Sequence, residues 1–117
     1  MANIPENVNN ILQEFLDKVQ ENLGEHLKKI ILYGSYARGD YNESSDVDIM
    51  ILTDLDGIEL SKKEKEIWDF AYDLEAEYDF SIHLSPFLNN IDFFDNRASF
   101  VPFYKNVQKE GVALING

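Results

Sequence analysis

The segment "DVDIMILT", residues 46–53, constrains the fold more than any other part of the sequence. After its two aspartates it is apolar on both faces, which is typical of a strand that is covered on both sides. Such a strand must lie inside a layered structure, with other elements packed above and below the sheet. The segment therefore predicts an internal strand of an α/β domain.

Helix patterns lie on either side of this strand. In residues 4–24 the apolar side chains recur at intervals of three and four, with Pro5 near the start and Gly24 at the end, which predicts an amphipathic helix. Ser61 and Glu64 have the spacing of a capping box, so a second helix is expected to begin at Ser61. The segment "SFVPFYKNVQKEG" predicts a third helix that Gly111 could end.

Three further segments have strand patterns. Residues 27–34 read "LKKIILYG", residues 78–85 alternate strictly between apolar and polar in "YDFSIHLS", and residues 112–115 read "VALI". The alternation in the second segment places Asp79 and His83 on its polar face. Because helices and strands alternate along the chain and no linker interrupts them, we expect one α/β (α+β) domain over residues 1–117.

Composition limits the classes of partner. The 117 residues include 22 acids and 10 bases, a net charge of −12, and such a surface repels a phosphate backbone. Long nucleic acid is therefore disfavoured, whereas a basic protein or a metal-chelated nucleotide is not. No apolar run reaches membrane-spanning length, no signal-peptide pattern begins the chain, and cysteine is absent. We therefore expect a soluble, cytoplasmic protein that does not contact a membrane.

Asp46 and Asp48 stand two positions apart on a predicted strand, so their carboxylates face the same way. Two close carboxylates near a core repel each other unless a cation lies between them, and Mg²⁺ or Mn²⁺ prefers such oxygen ligands. The alternative is that Asp46 caps a turn and Asp48 lies at an exposed strand end. The pair alone does not decide between the two interpretations.

Gly34 and Ser35 strengthen the metal interpretation because they predict a phosphate site next to the acids. Ser35 begins a short helical segment after a strand, and a glycine lets phosphate approach the backbone closely. Asp79 is a candidate third acid, because three carboxylates can hold two metal ions roughly 3.5–4 Å apart. Its alternative is a solvated acid at a strand end.

The segment "GSYARGDYNESSDVDIMIL" resembles the signature of the minimal nucleotidyltransferases of the DNA polymerase β-like superfamily. The matching positions are Gly34, Ser35, Ala37, Arg38, Gly39, Ser45, Asp46 and Asp48. The order of helices and strands is also similar over nearly the whole chain. This resemblance implies a small mixed β-sheet flanked by helices, two Mg²⁺ ions, and transfer of a nucleoside monophosphate from a triphosphate to an acceptor hydroxyl.

The resemblance also implies a role for each matching residue. Asp46 and Asp48 would bind both metal ions, and Asp79 would bind the ion that activates the acceptor and could take the proton of the acceptor. Gly34 and Ser35 would hold the terminal phosphates of ATP. Arg38 would pair with phosphate or, as we favour, support an aspartate, and Ser45 would fix its loop through the backbone.

Small domains of this kind commonly act as antitoxins that add AMP to a tyrosine of a helical HEPN toxin, so such a toxin is the expected partner. Two alternatives remain: a non-catalytic antitoxin that binds its partner stoichiometrically, and an enzyme that adenylylates a small molecule such as an aminoglycoside. The sequence permits a homo-oligomer or a hetero-oligomer. The aromatic residues between 87 and 104 are either a protein-binding surface or part of the core.

Overall fold

The chain forms a four-stranded mixed sheet in the computed structural model, which describes residues 4–116. The strands are β1 Leu27–Tyr33, β2 Val47–Thr53, β3 Leu84–Asn90 and β4 Val112–Asn116. They lie in the order β3-β2-β1-β4; β1 is antiparallel to β2 and β4, and β2 is parallel to β3. This confirms the prediction of a small mixed sheet, with β2 in an internal position.

Five helices flank the sheet within the described residues. They are α1 Glu6–Leu23, α2 Ser35–Arg38, α3 Gly57–Glu77, α4 Ile91–Ala98 and α5 Pro102–Glu110. A short 3₁₀ turn, Gly24–His26, joins α1 to β1. No helix of residues 4–116 has the length and apolar character needed to cross a bilayer.

Two hydrophobic cores cover the two faces of the sheet, which explains why β2 is apolar on both sides. The larger core packs α1 and α3 against one face and includes Phe15, Ile49 and Ile67, all fully buried. The smaller core packs α4 and α5 against the other face and includes Met50 and Phe94. Met50 and Ile49 are neighbours in sequence, so successive side chains of β2 enter different cores.

The structure confirms the predicted first helix and both of its boundaries. Pro5 directly precedes α1, where a missing backbone N–H costs nothing. Gly24 ends the helix with a φ of 55°, in the left-handed region that glycine enters without strain. The apolar stripe of α1 is buried against the sheet, as the periodicity predicts.

The predicted start of the second long helix is wrong. Helix α3 begins at Gly57 with Asp56 as its N-cap residue, so Ser61 lies inside the helix and forms no capping box. The Glu64 carboxylate has another partner: its Oε2 accepts the Leu88 N–H of β3 at 3.2 Å. Glu75, further along α3, accepts the Leu84 N–H at 2.8 Å. Two carboxylates of α3 therefore bind the otherwise unpaired edge of β3.

The predicted bounds of the third strand are also wrong. Helix α3 extends to Glu77, and a turn follows in which Asp79 and Phe80 have φ values of 56° and 55°. The strand begins only at Leu84 and continues to Asn90. The alternation was therefore misleading over residues 78–83, which form the turn after α3 and not a strand, and Phe80, predicted on the apolar face, is 46% exposed.

The aromatic segment divides between core and surface. Phe94 is buried in the smaller core, whereas Phe100 and Phe103 are 67% and 43% exposed. The ring of Phe103 lies 6.0 Å from that of Phe87 and 5.2 Å from that of Tyr104. The helix predicted before Gly111 and the closing strand are both confirmed as α5 and β4.

Candidate active site

The two aspartates stand where β2 begins, at one edge of the sheet. Asp46 directly precedes the strand and Asp48 is its second residue, so both carboxylates extend from the face that carries Met50. Burial, with repulsion from Asp46 as the second cause, raises the pKa of Asp48 above its usual range, and only Arg38 acts in the other direction. The pair therefore has an excess of negative charge.

Gly34 brings the backbone of the next strand into contact with Asp48. Tyr33, the last residue of β1, pairs with Asp48 in the sheet, and Gly34 follows with a φ of 75°. A β-carbon built on Gly34 would overlap Oδ2 of Asp48. Glycine is therefore required both by the backbone conformation and by the close approach of the carboxylate.

The predicted helical segment after Gly34 is present as α2. The Ala37 and Arg38 N–H groups donate to the Gly34 carbonyl at 3.1 and 3.0 Å, and Gly39 ends the turn with a φ of 91°. The N–H groups of Ser35 and Tyr36 precede these bonded amides, and first-turn amides of this kind have no partner within the helix. Backbone donors thus lie next to the acid pair.

A cleft of about 490 Å³ connects these groups. It is lined by Gly34, Ser35 and Arg38, by Tyr33 and Asp48, and by four residues of α5, which are Phe103, Asn106, Val107 and Glu110. Of the six residues predicted for the site, the cleft therefore gathers Gly34, Ser35, Arg38 and Asp48. Asp46 stands beside it, close enough to raise the pKa of Asp48.

Tyr33 was not predicted as part of the site. Its ring meets that of Phe103 edge to face at 5.8 Å between centroids. Burial, followed by the charge of Asp48 and the nearby Tyr104, raises the pKa of Tyr33 to about 12. Its hydroxyl is therefore uncharged at neutral pH and adds no negative charge to the acid pair.

Arg38 lies between two carboxylates at the cleft wall. Its Nε is 3.2 Å from Oδ2 of Asp40, and its Nη1 is 3.5 Å from Oε2 of Glu110 on α5. Hydrogen bonding to Asp40 is the main cause that raises the pKa of Arg38. The aspartate that Arg38 contacts is therefore Asp40 and neither member of the acid pair, and its 44% exposed side chain is accessible from the cleft.

Ser45 has the predicted structural role. Its Oγ accepts the Asn42 N–H at 2.9 Å, and its own N–H donates to the Asn42 carbonyl at 3.1 Å. Asn42 Oδ1 also accepts the Ser44 N–H at 2.8 Å. These local bonds shape the loop that delivers Asp46 to the start of β2.

The structure does not place Asp79 on a strand beside the acid pair. Asp79 lies in the turn after α3, where its N–H donates to the Ala76 carbonyl, and five residues separate it from the β3 position that pairs with Asp48. Among residues 4–116, no three His, Asp or Glu side chains come together as a metal-binding group. The strand position predicted for Asp79 is wrong, and its role as a third ligand stays a prediction.

The wall formed by α5 is the part of the site that sequence reasoning missed. Phe103, Asn106 and Glu110 occur at spacings of three and four, so they share one face of the helix. A helical wheel of α5 could have shown this polar and aromatic stripe. Its position in the same cleft as Ser35 could not be predicted from the sequence, because it depends on how α5 crosses the sheet.

The residues present fit a divalent metal ion. Asp46 and Asp48 offer carboxylate oxygens, which are the donors that Mg²⁺ and Mn²⁺ prefer. Burial, and after it repulsion from Asp46, raises the pKa of Asp48, and Arg38 acts in the opposite direction without reversing the shift. A bound cation would remove this repulsion.

Comparison with known sequences gives a consistent result. A model of the nucleotidyltransferase domain matches residues 12–114. Two Methanocaldococcus jannaschii proteins, each named a "putative protein adenylyltransferase", are similar. One is 31% identical over 105 residues, which cover 88% of this chain and 93% of that protein. The other is 41% identical over 81 residues, which cover 69% of this chain and 54% of that protein.

Solved structures share the fold at low sequence identity. A "putative nucleotidyltransferase" from Sulfolobus solfataricus has a TM-score of 0.57 and 15% identity, covering 99% of this chain and 92% of its own. A mutant of the toxin-antitoxin MntA-HpeT has a TM-score of 0.52 and 21% identity, and a toxin-antitoxin with AMP-PNP has 0.50 and 22%. Each of these two matches covers 90% of this chain and 73% of the solved chain.

Proposed function

The chain belongs to the nucleotidyltransferase domain family, and we propose that it transfers AMP from ATP to a hydroxyl group of a protein. The proposed acceptor is a tyrosine of a partner toxin of the HEPN type, so that the chain acts as an antitoxin. The proposed cofactor is Mg²⁺, as two ions, with Mn²⁺ as a substitute. Together with the toxin the chain would form a hetero-oligomer.

One observation carries this proposal: Asp48 and the Gly34-Ser35 backbone face each other in a single cleft. Gly34 has no β-carbon where Oδ2 of Asp48 lies, so the carboxylate proposed to bind metal lies directly against the backbone proposed to bind phosphate. Transfer of a nucleotide requires that metal and phosphate sites be adjacent. A solvated acid or a simple turn would not require this contact.

The cleft residues have distinct tasks in the proposed reaction. The backbone N–H groups at the start of α2 and the Ser35 hydroxyl would hold the terminal phosphates of ATP. Arg38 would exchange its contacts with Asp40 and Glu110 for the triphosphate, which offers stronger charge-assisted bonds. Metal ions held by Asp46 and Asp48 would supply neutralisation of the phosphate charge. Asp79 would act as a third ligand only if its turn moves toward the pair.

The acceptor class rests on three supporting facts. The two similar Methanocaldococcus jannaschii proteins are named as protein adenylyltransferases, and two neighbours in structure are toxin-antitoxin proteins, one with the ATP analogue AMP-PNP. The net charge of −12 disfavours a nucleic acid acceptor. Phe103 lines the cleft and also contacts the exposed ring of Phe87, so an apolar surface suited to a protein begins at the cleft itself.

The test is direct transfer to the product of a neighbouring gene that encodes a short helical protein. The two proteins are mixed with ATP and Mg²⁺, and the partner is weighed by mass spectrometry. We expect wild type to add AMP to a tyrosine and Asp46→Asn/Asp48→Asn to add none. If wild type silences the partner only at equal molar ratio and adds no AMP, stoichiometric binding replaces the proposal. If AMP appears only on an aminoglycoside, the acceptor class is wrong.

A further inference from the structure

The rings of Phe87 and Phe103 form an exposed, stacked pair that reaches the cleft. Their centroids lie 6.0 Å apart with 28° between the ring planes, and the two residues are 37% and 43% exposed. Two rings that both remain partly in water lose some of the stabilisation that full burial would give them. Exposed aromatic residues that adjoin one another, rather than occurring singly, mark binding surfaces.

Contacts with neighbouring rings hold Phe103 in place. The ring of Tyr33 meets it edge to face at 5.8 Å between centroids, and the ring of Tyr104 meets it at 5.2 Å with 69° between the planes. Tyr104 is itself packed edge to face, at 5.6 Å, against Phe94 in the smaller core. A ligand would therefore meet an aromatic surface that is already formed.

Strand pairing places these two rings next to the acid pair. Phe87 of β3 pairs with Met50, which lies two residues after Asp48 on β2. Because side chains alternate along a strand, Phe87 extends from the same face of the sheet as Asp48, and two residues of a strand span roughly 7 Å. Phe103 lines the cleft together with Asp48 and Ser35. The two rings therefore adjoin the acid pair on the side of β3.

The geometry of the proposed reaction indicates which substrate meets the two rings. In the sheet β2 lies between β1 and β3, and α2 follows β1. The terminal phosphates, proposed to bind at α2, are therefore on the β1 side of Asp48. In an in-line displacement the attacking and the leaving oxygens lie on opposite sides of the phosphorus. With pyrophosphate leaving toward α2, the acceptor hydroxyl approaches from the β3 side, where Phe87 lies.

A tyrosine is the acceptor that suits this position. Its hydroxyl stands at the far end of a ring, so the ring can pack against Phe87 and Phe103 while the oxygen reaches the acid pair. Aromatic rings favour such offset-stacked or edge-to-face contacts, with centroids roughly 4.5–7 Å apart. The hydroxyl of serine or threonine is attached directly to the β-carbon, so these side chains cannot contact both groups in this way.

We propose that Phe87 and Phe103 form the acceptor subsite and restrict the transfer of AMP to tyrosine. This proposal rests on the proposed function and adds to it the residues that recognise the acceptor ring.

The subsite positions one step of group transfer. The tyrosine oxygen forms a bond to the α-phosphorus of ATP, and the proton of its hydroxyl passes to solvent water. The bond between the α-phosphorus and the oxygen bridging to the β-phosphate breaks, and pyrophosphate leaves with that electron pair. The two phenylalanines take no part in bond making and only hold the acceptor ring.

The experiment measures AMP transfer to the helical partner by leucine and tyrosine variants. Leucine keeps an apolar side chain but removes the ring, whereas tyrosine keeps the ring. We expect Phe87→Leu and Phe103→Leu each to lower kcat/KM for the partner about three- to tenfold, the value of one aromatic contact. Phe103→Tyr should restore the wild-type kcat/KM. The control Phe100→Leu changes a residue that is 67% exposed and does not line the cleft, and it should transfer normally. The affinity for Mg²⁺-ATP should be unchanged in every variant.

A free tyrosine derivative separates recognition of the ring from docking of the whole partner. N-acetyltyrosine amide should inhibit transfer to the partner competitively in wild type, whereas N-acetylserine amide should not. Phe103→Leu should lose this inhibition. Equal inhibition of wild type and Phe103→Leu, or a wild-type kcat/KM for the partner in both leucine variants, would overturn the subsite.

Two further results would also overturn it. Weaker binding of Mg²⁺-ATP by Phe103→Leu, with an unchanged kcat/KM for the partner, would show that the ring holds the adenine base instead. AMP found on a serine or threonine of the partner would show that transfer is not restricted to tyrosine. Failure of the wild type to transfer AMP would instead refute the proposed function.

Discussion

The two ends of β2 carry aspartates in opposite electrostatic situations. At the start, Asp48 has a raised pKa because it is half-buried beside Asp46. Just past the end, Asp54 has a lowered pKa, chiefly because His26 hydrogen-bonds to it at 2.8 Å, with Lys28 adding a weaker ion pair at 3.7 Å. The negative charge of Asp54 is therefore compensated by neighbouring groups, whereas the negative charge of Asp48 is increased by a second carboxylate beside it.

This difference separates a functional arrangement from an ordinary one. An exposed ion pair such as Asp54 with His26 and Lys28 contributes little to stability and requires nothing further. The partly buried Asp48 carboxylate with the exposed Asp46 beside it costs stability, and such a cost is typical of a ligand-binding site.

The largest difference should appear in catalysis. Asp48→Asn removes a carboxylate oxygen from the proposed metal site and should lower AMP transfer by at least about 100-fold, because charge stabilisation of the transferred phosphate is lost. Asp54→Asn should transfer within about twofold of wild type. The measurement is the initial rate of AMP addition at saturating Mg²⁺ and ATP.

Titration of Mg²⁺-ATP measures nucleotide binding at the acid pair without an acceptor. We expect metal-dependent nucleotide binding by wild type and Asp54→Asn, and its loss in Asp48→Asn. Equal metal-dependent binding by all three proteins would show that the acid pair is not the metal site.

A smaller difference should separate Gly34, which lies beside Asp48, from Gly24, which lies at the end of α1. Gly34→Ala and Gly24→Ala both place a side chain on a left-handed backbone, at φ values of 75° and 55°, which costs roughly 1–2 kcal/mol of stability in each. Only at Gly34 does the new β-carbon meet Asp48, whereas the space at Gly24 is open. The Asp48 carboxylate can rotate away from the new β-carbon, so this contact should cost little further stability. The displaced carboxylate should instead weaken the binding of Mg²⁺-ATP.

The expected result is therefore similar melting temperatures for the two alanine variants and at least about tenfold weaker Mg²⁺-ATP binding for Gly34→Ala alone. Calorimetry of unfolding and a nucleotide titration measure the two quantities separately. If both variants bind nucleotide like wild type, the contact between residue 34 and Asp48 has no part in the site.

Most of the fold could be predicted because it depends on local patterns. The stripe of α1, the double burial of β2 and the α2 turn are all determined by residue spacing within a single segment. The start of α3 was mispredicted because Ser61 and Glu64 imitate a helix start inside a helix, and Glu64 instead bonds to β3 across the domain. A capping pattern cannot be distinguished from such a long-range bond by sequence alone.

The site divides in the same way. Gly34, Ser35, Arg38, Asp46 and Asp48 lie within 15 consecutive residues, so one motif identifies them together. The third acid, Asp79, was predicted on a separate segment, and its position relative to the pair depends on where β3 begins and how it pairs with β2. That register pairs Asp48 with Ser85, six positions beyond Asp79, and no motif in the sequence indicates it.

The smallest difference is in the pH dependence of stability. Ionisation of Asp48 and ionisation of Asp54, at the two ends of β2, should change the free energy of unfolding in opposite directions. The ordinary pKa of an aspartate is 3.8. Because the folded pKa of Asp48 is raised, its cost is absent below the unfolded pKa and complete above the folded pKa. Because the folded pKa of Asp54 is lowered, its contribution is present above the unfolded pKa and lost as the pH falls through the folded value.

In metal-free buffer at neutral pH, Asp48→Asn should therefore be more stable than wild type, by about 0.5–1 kcal/mol once screening by solvent is allowed for. Asp54→Asn should be less stable than wild type, and both differences should shrink toward pH 3. Urea unfolding at a series of pH values measures them. A less stable Asp48→Asn would mean that this carboxylate makes stabilising hydrogen bonds in the metal-free fold, and the contrast between the two ends of β2 would then be lost.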